Sequence, residues 1–250
     1  MKDSFPLGLT SVTFRKKSIR EIAELAARAE LSRIEWGADI HVQPGDWAAA
    51  KEAVWQMAEN GLYCPSYGTY YRIGDQDTDA FLRLCETAGI LGAKTLRLWL
   101  GRKGSADCTE NDLAALVDET ETLADLADRY GQTVAFEYHG KTYNDEAVAH
   151  LRFFSAISHT NVKSYWQPLS FGDSEKNLRA ALPRLSTVHV FHWDTANNRF
   201  PLTDGTERWR GYLDILREAD VFPPLIMEFV RDDDEKQFLA DAKTLHDWIQ

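Results

Sequence analysis

Short apolar runs alternate along the whole chain with longer segments in which apolar residues recur at helical spacing. The runs are partly β-branched and recur roughly every 30 residues, as expected of strands that are buried on both faces. We predict strands over residues 7–14, 32–36, 62–67, 95–100, 133–137, 162–167, 186–193 and 225–230.

Boundary signals for helices lie between these runs. Ser18 and Glu21 have the spacing of a capping box ahead of the first helix, and Asp46 precedes the second. Gly92 follows the third helix, where a left-handed residue is favoured, and Asn144 or Asp145 is expected to cap the fifth. We predict helices over residues 18–30, 46–60, 77–91, 109–130, 147–157, from 173 or 174, 207–218 and 234–249.

Eight strands that alternate with eight helices are typical of an α/β protein, and in a chain of this length they predict a (β/α)8 TIM barrel. We expect one barrel domain over residues 1–250. A doubly wound open sheet is the main alternative, but no glycine-rich fingerprint follows the first strand. In a barrel the chemistry lies at the C-terminal ends of the strands.

The composition narrows the range of partners. A formal charge of -11 argues against a nucleic-acid partner, because phosphate binding needs a basic face. There is neither a run of apolar residues long enough to span a membrane nor a hydrophobic signal region after Met1. Cys64, Cys85 and Cys108 are scattered and suit reduced thiols. We therefore expect a soluble, cytoplasmic protein without a membrane partner, and homo-oligomerisation stays open.

Carboxylates end two of the apolar runs. Glu137 and Glu228 stand at matched strand ends, where a buried charge needs a cation, a metal or a hydrogen-bond network. Arg97 is available as a salt-bridge partner for a single such carboxylate. Two carboxylates, with His189 and Gln167 on the strands between them, favour metal coordination instead.

A family resemblance rests on four short stretches: IEWGADIH at 34–41, FEYH at 136–139, TVHVFHW at 187–193 and MEF at 227–229. With them the chain resembles the xylose-isomerase-like TIM barrel superfamily of sugar (phosphate) isomerases and epimerases. The resemblance implies one divalent ion, Mn²⁺, Mg²⁺ or Co²⁺ with Zn²⁺ as an alternative, held by Glu137, His189 and Glu228. It favours His189 over His192 as the ligand. On strand six the family's usual Asp is replaced by Gln167, a neutral oxygen ligand.

The resemblance also implies a function. We expect a metal-dependent isomerase or epimerase that acts on a small carbohydrate through an enediolate, with Glu137 and Glu228 as the acid and base. Lyase or dehydratase chemistry, a phosphodiester hydrolase of the endonuclease IV type and a non-catalytic carbohydrate-binding barrel are the alternatives. A phosphate on the substrate would depend on Arg102 and Lys103, which are otherwise solvated loop charges. The residues predicted to bind substrate are Trp36, His41, Arg97, Trp99, His139, His192 and Arg199.

Overall fold

The apolar runs form eight parallel strands that close into a barrel in chain order, with the last strand paired to the first. A computed structural model describes residues 4–75 and 77–250 of the chain. The strands are β1 (Leu7–Thr10), β2 (Arg33–Gly37), β3 (Ser66–Arg72), β4 (Thr95–Trp99), β5 (Thr133–Glu137), β6 (Val162–Trp166), β7 (Leu185–Val190) and β8 (Leu225–Met227). The predicted (β/α)8 barrel is confirmed.

A helix follows each strand. The helices are α1 (Ile19–Arg28), α2 (Trp47–Glu59), α3 (Thr78–Leu91), α4 (Glu110–Asp128), α5 (Ala147–Ala156), α6 (Ser174–Ala181), α7 (Thr206–Glu218) and α8 (Glu235–Ile249). The predicted capping box of Ser18 and Glu21 is present, and the Asp46 side chain accepts from the amide of Ala49. Gly92 ends α3 with a φ of 73°, in the left-handed region that favours glycine. None of the helices in the described residues is long and apolar enough to cross a membrane.

The third strand lies later in the chain than predicted. β3 begins at Ser66 and not at residue 62, because Pro65 has no backbone N–H to donate to a sheet ladder. Only an isolated bridge between Arg33 and Tyr63 precedes it. β3 runs on through an irregularity between Gly68 and Arg72, and this extension carries Tyr70 to the mouth of the barrel.

Three other strands end three or more residues earlier than predicted, whereas β4 and β6 end one residue earlier. β1 stops at Thr10 and continues as a 3₁₀ turn over Ser11–Phe14. β7 stops at Val190 and β8 at Met227, so that Glu228 follows directly after the last strand. The residues after these strands therefore lie in the loops at the C-terminal mouth of the barrel.

The predicted cap of the fifth helix is wrong. Glu146 precedes α5 and makes no side-chain cap hydrogen bond. Asn144 is instead buried, where its amide donates to the Phe136 carbonyl and its oxygen meets His150 Nδ1 at 2.9 Å. The side chain is thus used to fix the loop after β5.

Alternation along the strands separates the interior of the barrel from the helix layer. Trp36 and Trp166 are fully buried and face outward, where they contact Met57 of α2 and Trp209 and Tyr212 of α7. The residue before each of them, Glu35 and Tyr165, points into the barrel. The polar centre of the molecule is built from such inward positions.

Candidate active site

Three buried side chains converge at the C-terminal end of the barrel. Glu137 ends β5, His189 lies in β7 and Glu228 follows β8. His189 Nδ1 is 3.2 Å from Glu137 Oε1 and 3.2 Å from Glu228 Oε2. One potential ligand atom from each residue lies within 4.8 Å of the others. The structure thus brings together three of the four predicted metal ligands.

A third carboxylate, Glu35, lies deeper in the barrel. It is fully buried, and its Oε1 is 3.3 Å from His189 Nε2. Its Oε2 accepts from Ser66 at 2.6 Å and from the hydroxyl of Tyr165 at 2.8 Å. The prediction assigned its neighbour Trp36 to the site and missed Glu35. Strand alternation was the signal that could have found it, because the residue beside an outward-facing tryptophan must face inward.

Arg97 connects the two buried carboxylates. Its Nε donates to Glu35 Oε1 at 3.1 Å, and its Nη1 donates to Glu137 Oε2 at 2.5 Å. The indole N–H of Trp99 donates to the same Glu137 oxygen. The salt bridge that the sequence left open as an alternative to metal coordination is therefore present, on the opposite oxygen of Glu137 from His189.

The close packing of these charges shifts their pKa values. Burial raises the pKa of Glu35, but the charges of Arg97 and His189 outweigh burial and hold it at about 2. Burial also opposes ionisation of Glu137, yet Arg97 and His189 hold its pKa well below the ordinary value. Burial lowers the pKa of His189, whereas the carboxylates around it raise that pKa well above the ordinary value. These charges favour ionised Glu35 and Glu137 and a protonated His189, and His189 would release its proton on binding a metal ion.

Gln167, the fourth predicted ligand, lies just beyond β6 and lines the cavity above the cluster. Its side-chain nitrogen donates to the carbonyl of Tyr138 at 2.8 Å. The nitrogen is therefore committed to the backbone, and the carbonyl oxygen is the atom that remains to bind a cation.

The cluster forms the floor of a cavity of about 650 Å³ at the C-terminal mouth. Glu137, Glu228 and Arg97 contribute to its lining. Aromatic rings stand on two sides. The first side is Tyr70, Trp99 and His139, with successive ring centroids 5.2 and 4.9 Å apart.

The second side is formed by Phe191, Trp193 and Phe229, with successive centroids 4.7 and 5.4 Å apart. Phe171 also lines the cavity, and its ring packs over Gly140. We call Phe171, Phe191, Trp193 and Phe229 the aromatic wall. The cavity is thus polar at its floor and aromatic along its sides, as sites for small polyhydroxylated ligands are.

Three of the seven residues predicted to bind substrate line the cavity: Arg97, Trp99 and His139. The other four lie outside its lining. Trp36 packs against α2, and His41 contacts Ser11 Oγ and the Lys17 carbonyl.

His192 and Arg199 also face away from the cavity. His192 packs against Gly205 and Phe200, whereas Arg199 pairs with Asp233 and covers the Phe229 ring. His189 and His192 therefore face different directions, although His192 lies beyond the end of β7.

The donor set fits a divalent cation. Ligands around an ion of the size of Mg²⁺ stand about 3 Å apart in octahedral geometry, and the two contacts of His189 Nδ1 measure 3.2 Å. Glu35 holds the opposite nitrogen of the ring, the arrangement that orients a histidine ligand toward a metal. Glu137, His189, Glu228 and the oxygen of Gln167 are the residues that would hold the ion.

Comparisons with known proteins agree with this architecture. A model of the family described as xylose isomerase-like TIM barrel matches residues 15–249. The chain is similar in structure to the probable 3-DHS dehydratase AsbF from Bacillus anthracis, with 16% identity, TM-score 0.82, and 96% of this chain and 98% of that one covered.

Two further structures are similar. D-psicose 3-epimerase from Clostridium cellulolyticum H10 shares 16% identity at TM-score 0.78, with 97% of each chain covered. A xylose isomerase-like TIM barrel protein from Mycobacterium smegmatis, in complex with magnesium, shares 14% identity at TM-score 0.75, with 98% of this chain and 96% of that one covered. No curated protein matches the sequence significantly.

Proposed function

The chain belongs to the xylose isomerase-like TIM barrel family, and on that premise we propose that it moves a proton at a carbon next to a carbonyl group, as a sugar isomerase or epimerase. The observation that carries the proposal is the buried cluster of Glu137, His189 and Glu228 at the floor of the cavity. Such chemistry needs a carboxylate to accept the proton and a cation beside it to stabilise the developing negative charge.

We propose Mn²⁺, Mg²⁺ or Co²⁺ as the ion, and the magnesium complex of the Mycobacterium smegmatis relative supports this choice. When bound, such an ion supplies positive charge that stabilises the negative charge developing on the substrate oxygen. Glu137, His189 and Glu228 would hold it, and Glu35 fixes the His189 ring through its contact with Nε2.

The two carboxylates have unequal surroundings. The side chain of Glu137 has three partners among the described residues, Arg97, Trp99 and His189, whereas that of Glu228 has His189 alone. Glu137 is therefore restrained in its ionised form, because a proton on its outer oxygen would displace two donors. Glu228 is the residue that removes the substrate proton. Glu137 returns a proton only if its hydrogen bonds from Arg97 and Trp99 break.

Exchange with solvent tests the proposal. The protein is incubated in D₂O with a panel of ketoses and aldoses and each of the three metal ions, and deuterium uptake is followed by NMR. We expect uptake next to the carbonyl, and a loss of about 10²- to 10⁴-fold in Glu228→Gln. Glu59→Gln, at an exposed position of α2, is the matched control. Absence of uptake with every substrate and ion would contradict the proposal.

Dehydration is the second candidate, and the restrained state of Glu137 favours it. With one free carboxylate, Glu228 takes the proton from the carbon beside the carbonyl, and the C–O bond at the next carbon breaks. The same proton then passes from Glu228 to the leaving hydroxyl, which departs as water. The product is a conjugated carbonyl compound, so its ultraviolet absorbance separates this outcome from isomerisation. The dehydratase named among the similar structures supports the same candidate.

The other two candidates have less support. A phosphodiester hydrolase needs several metals and a basic groove, whereas the described residues contain one potential metal cluster and the chain carries a charge of -11. A non-catalytic carbohydrate-binding barrel would not need a metal. Stoichiometric divalent ion in the purified protein would count against it.

A further inference from the structure

Three rings of the aromatic wall, Phe191, Trp193 and Phe229, contact one another in series, and one of them has a strained backbone. Phe229 has a φ of 53°, a conformation that a bulky residue rarely adopts. Tyr70, on the opposite side of the cavity, has a φ of 58°. Such backbone strain costs about 1–3 kcal/mol per residue and persists where the surrounding structure imposes it. Both rings are therefore held against the cavity by the fold.

The size of the cavity exceeds the needs of one sugar ring. Its volume of about 650 Å³ corresponds to about twenty water molecules at their volume in the liquid. Cavities of roughly 300–1,000 Å³ take ligands of drug size, which have more than one ring. A single monosaccharide at the acidic floor would leave the aromatic wall to water.

The charges that line the cavity balance one another. Arg15 pairs with Asp39, Arg97 is shared between Glu35 and Glu137, and Glu228 contacts His189. Lys141 is the remaining cation of the lining, and no ion pair is formed by it among the described residues. A phosphate or sulfate group is normally held by several converging donors, and this lining offers no such cluster in the part of the chain that the structure describes.

The two residues that the sequence suggested for a phosphate are used elsewhere. Arg102 pairs with Asp75, and Lys103 pairs with Asp112. Both side chains are more than half exposed and lie outside the cavity lining. The structure therefore removes the basis for a phosphorylated substrate.

We propose that the cavity has a second subsite at the aromatic wall and that the substrate is an uncharged two-ring molecule. Its reacting keto-sugar unit lies at Glu137 and Glu228, and a second ring, either another sugar or an aromatic group, packs its apolar face on the aromatic wall. The assignment of the first unit rests on the proposed function. The second subsite rests on the volume, the rings and the charge balance alone.

Binding without turnover tests the subsite. The probes are fructose, fructose phosphate, the ketose disaccharide lactulose and para-nitrophenyl β-glucoside, titrated while tryptophan fluorescence is followed or by calorimetry. We expect lactulose or the nitrophenyl glucoside to bind about tenfold or more tightly than fructose, and fructose phosphate to bind no better than fructose. The stronger of the two-ring probes identifies the second ring as a sugar or an aromatic group.

Phe171 is the residue to remove, because it is 50% exposed in a loop and its loss leaves the core intact. In Phe171→Ala the two-ring probe should lose about tenfold in affinity while fructose is unaffected. Phe200→Ala is the matched control, since this ring is 37% exposed but packs on His192 outside the cavity. Thermal melts verify that both variants fold.

Each outcome separates the subsite from the proposed function. Equal affinity for fructose and the two-ring probes, no binding of any probe, or no effect of Phe171→Ala would overturn the second subsite. Tighter binding of fructose phosphate would overturn the uncharged substrate. Deuterium exchange with ketoses that persists in these cases would leave the proposed function intact. Conversely, tight binding of lactulose without deuterium exchange would support the second subsite and contradict the proposed function.

Discussion

Glu35 and His189 come from strands on different sides of the barrel, 154 residues apart in the chain, and meet inside it with Oε1 3.3 Å from Nε2. Both side chains are fully buried. The contact leaves Nδ1 of the ring directed at Glu137 and Glu228. Glu35 thereby determines which nitrogen faces the cavity, although it does not line the cavity itself.

The first prediction concerns the charge of Glu35. Glu35→Gln keeps the shape of the side chain but leaves Arg97 and His189 with one anion fewer, and it sets an amide N–H against existing donors. Breaking a buried ion pair in this way costs about 3–5 kcal/mol. Urea unfolding should show a loss of this size, together with a lower pKa of His189 by NMR. Glu59→Gln should change neither quantity, and a cost below about 1 kcal/mol for Glu35→Gln would contradict the role assigned to its charge.

The sequence could predict what depends on local pattern. Eight strand–helix units follow from hydrophobic periodicity, and the caps at Ser18, Asp46 and Gly92 follow from side-chain chemistry at helix ends. The convergence of Glu137 and Glu228 follows from the barrel, because all C-terminal strand ends meet at one mouth. Their roles as acid and base stay predictions.

Contacts across the barrel could not be predicted in the same way. The shared hydrogen bonds of Arg97 depend on the relative register of β2, β4 and β5, which local pattern does not specify. The start of β3 was wrongly predicted for a similar reason, because it depends on strand pairing and on Pro65, which cannot donate to the sheet. Assignment of Trp36 in place of Glu35 had a different cause. The position of Trp36 in a motif does not indicate which way its ring faces, and alternation turns the ring toward α2.

Gly68 provides a second prediction, because Arg97 lies against it. A Cβ at this position would stand 2.7 Å from Arg97 Nη2 and 3.1 Å from Glu35 Oε1. Gly68→Ala must therefore displace the guanidinium, at a cost of about 1–3 kcal/mol as in other overpacked cores. Urea unfolding should show lower stability, and deuterium exchange should show lower activity.

Gly89→Ala is the control for this substitution. Gly89 lies inside α3, where an added Cβ would come no closer than 3.8 Å to Gln132 Nε2. Because alanine is favoured over glycine in a helix, this variant should be more stable by about 0.5–1 kcal/mol. A Gly68→Ala protein as stable as the wild type would show that Arg97 can move without cost.

Metal binding should distinguish His189, which lies in β7, from His192, which follows it. Mn²⁺ added to chelator-treated protein should raise its melting temperature, since a ligand at about 100 times its Kd stabilises the folded state by about 2.7 kcal/mol. His189→Gln should lose most of this rise. His192→Gln should keep it, because His192 packs on Gly205 and Phe200 away from the cluster. Equal losses in both variants would contradict the assignment of His189 as the ligand.

His150 gives a prediction for stability against pH that is independent of any metal. It lies in α5 behind the loop after β5, where its ring stacks on Tyr138 at 5.0 Å between centroids and its Nδ1 meets Asn144 Oδ1. Burial, with a smaller effect of Arg184, lowers its pKa from 6.5 to about 3. Between these two values the imidazole is charged in the unfolded chain but neutral in the folded protein. The unfolded state then binds the additional proton, and the free energy of unfolding falls as the pH falls.

The slope of this effect is about 1.4 kcal/mol per pH unit for one group. Carboxylates such as Glu35 add to the same trend between their folded and their unfolded pKa, so a variant is needed to isolate the histidine. His150→Gln keeps a neutral polar side chain in the same place, and it should be less stable at pH 7 because the ring contact with Tyr138 is lost. Between pH 6 and pH 4, however, wild type should lose about 1–3 kcal/mol more than the variant by urea unfolding. Parallel pH profiles for the two proteins would mean that His150 is able to accept a proton in the folded state.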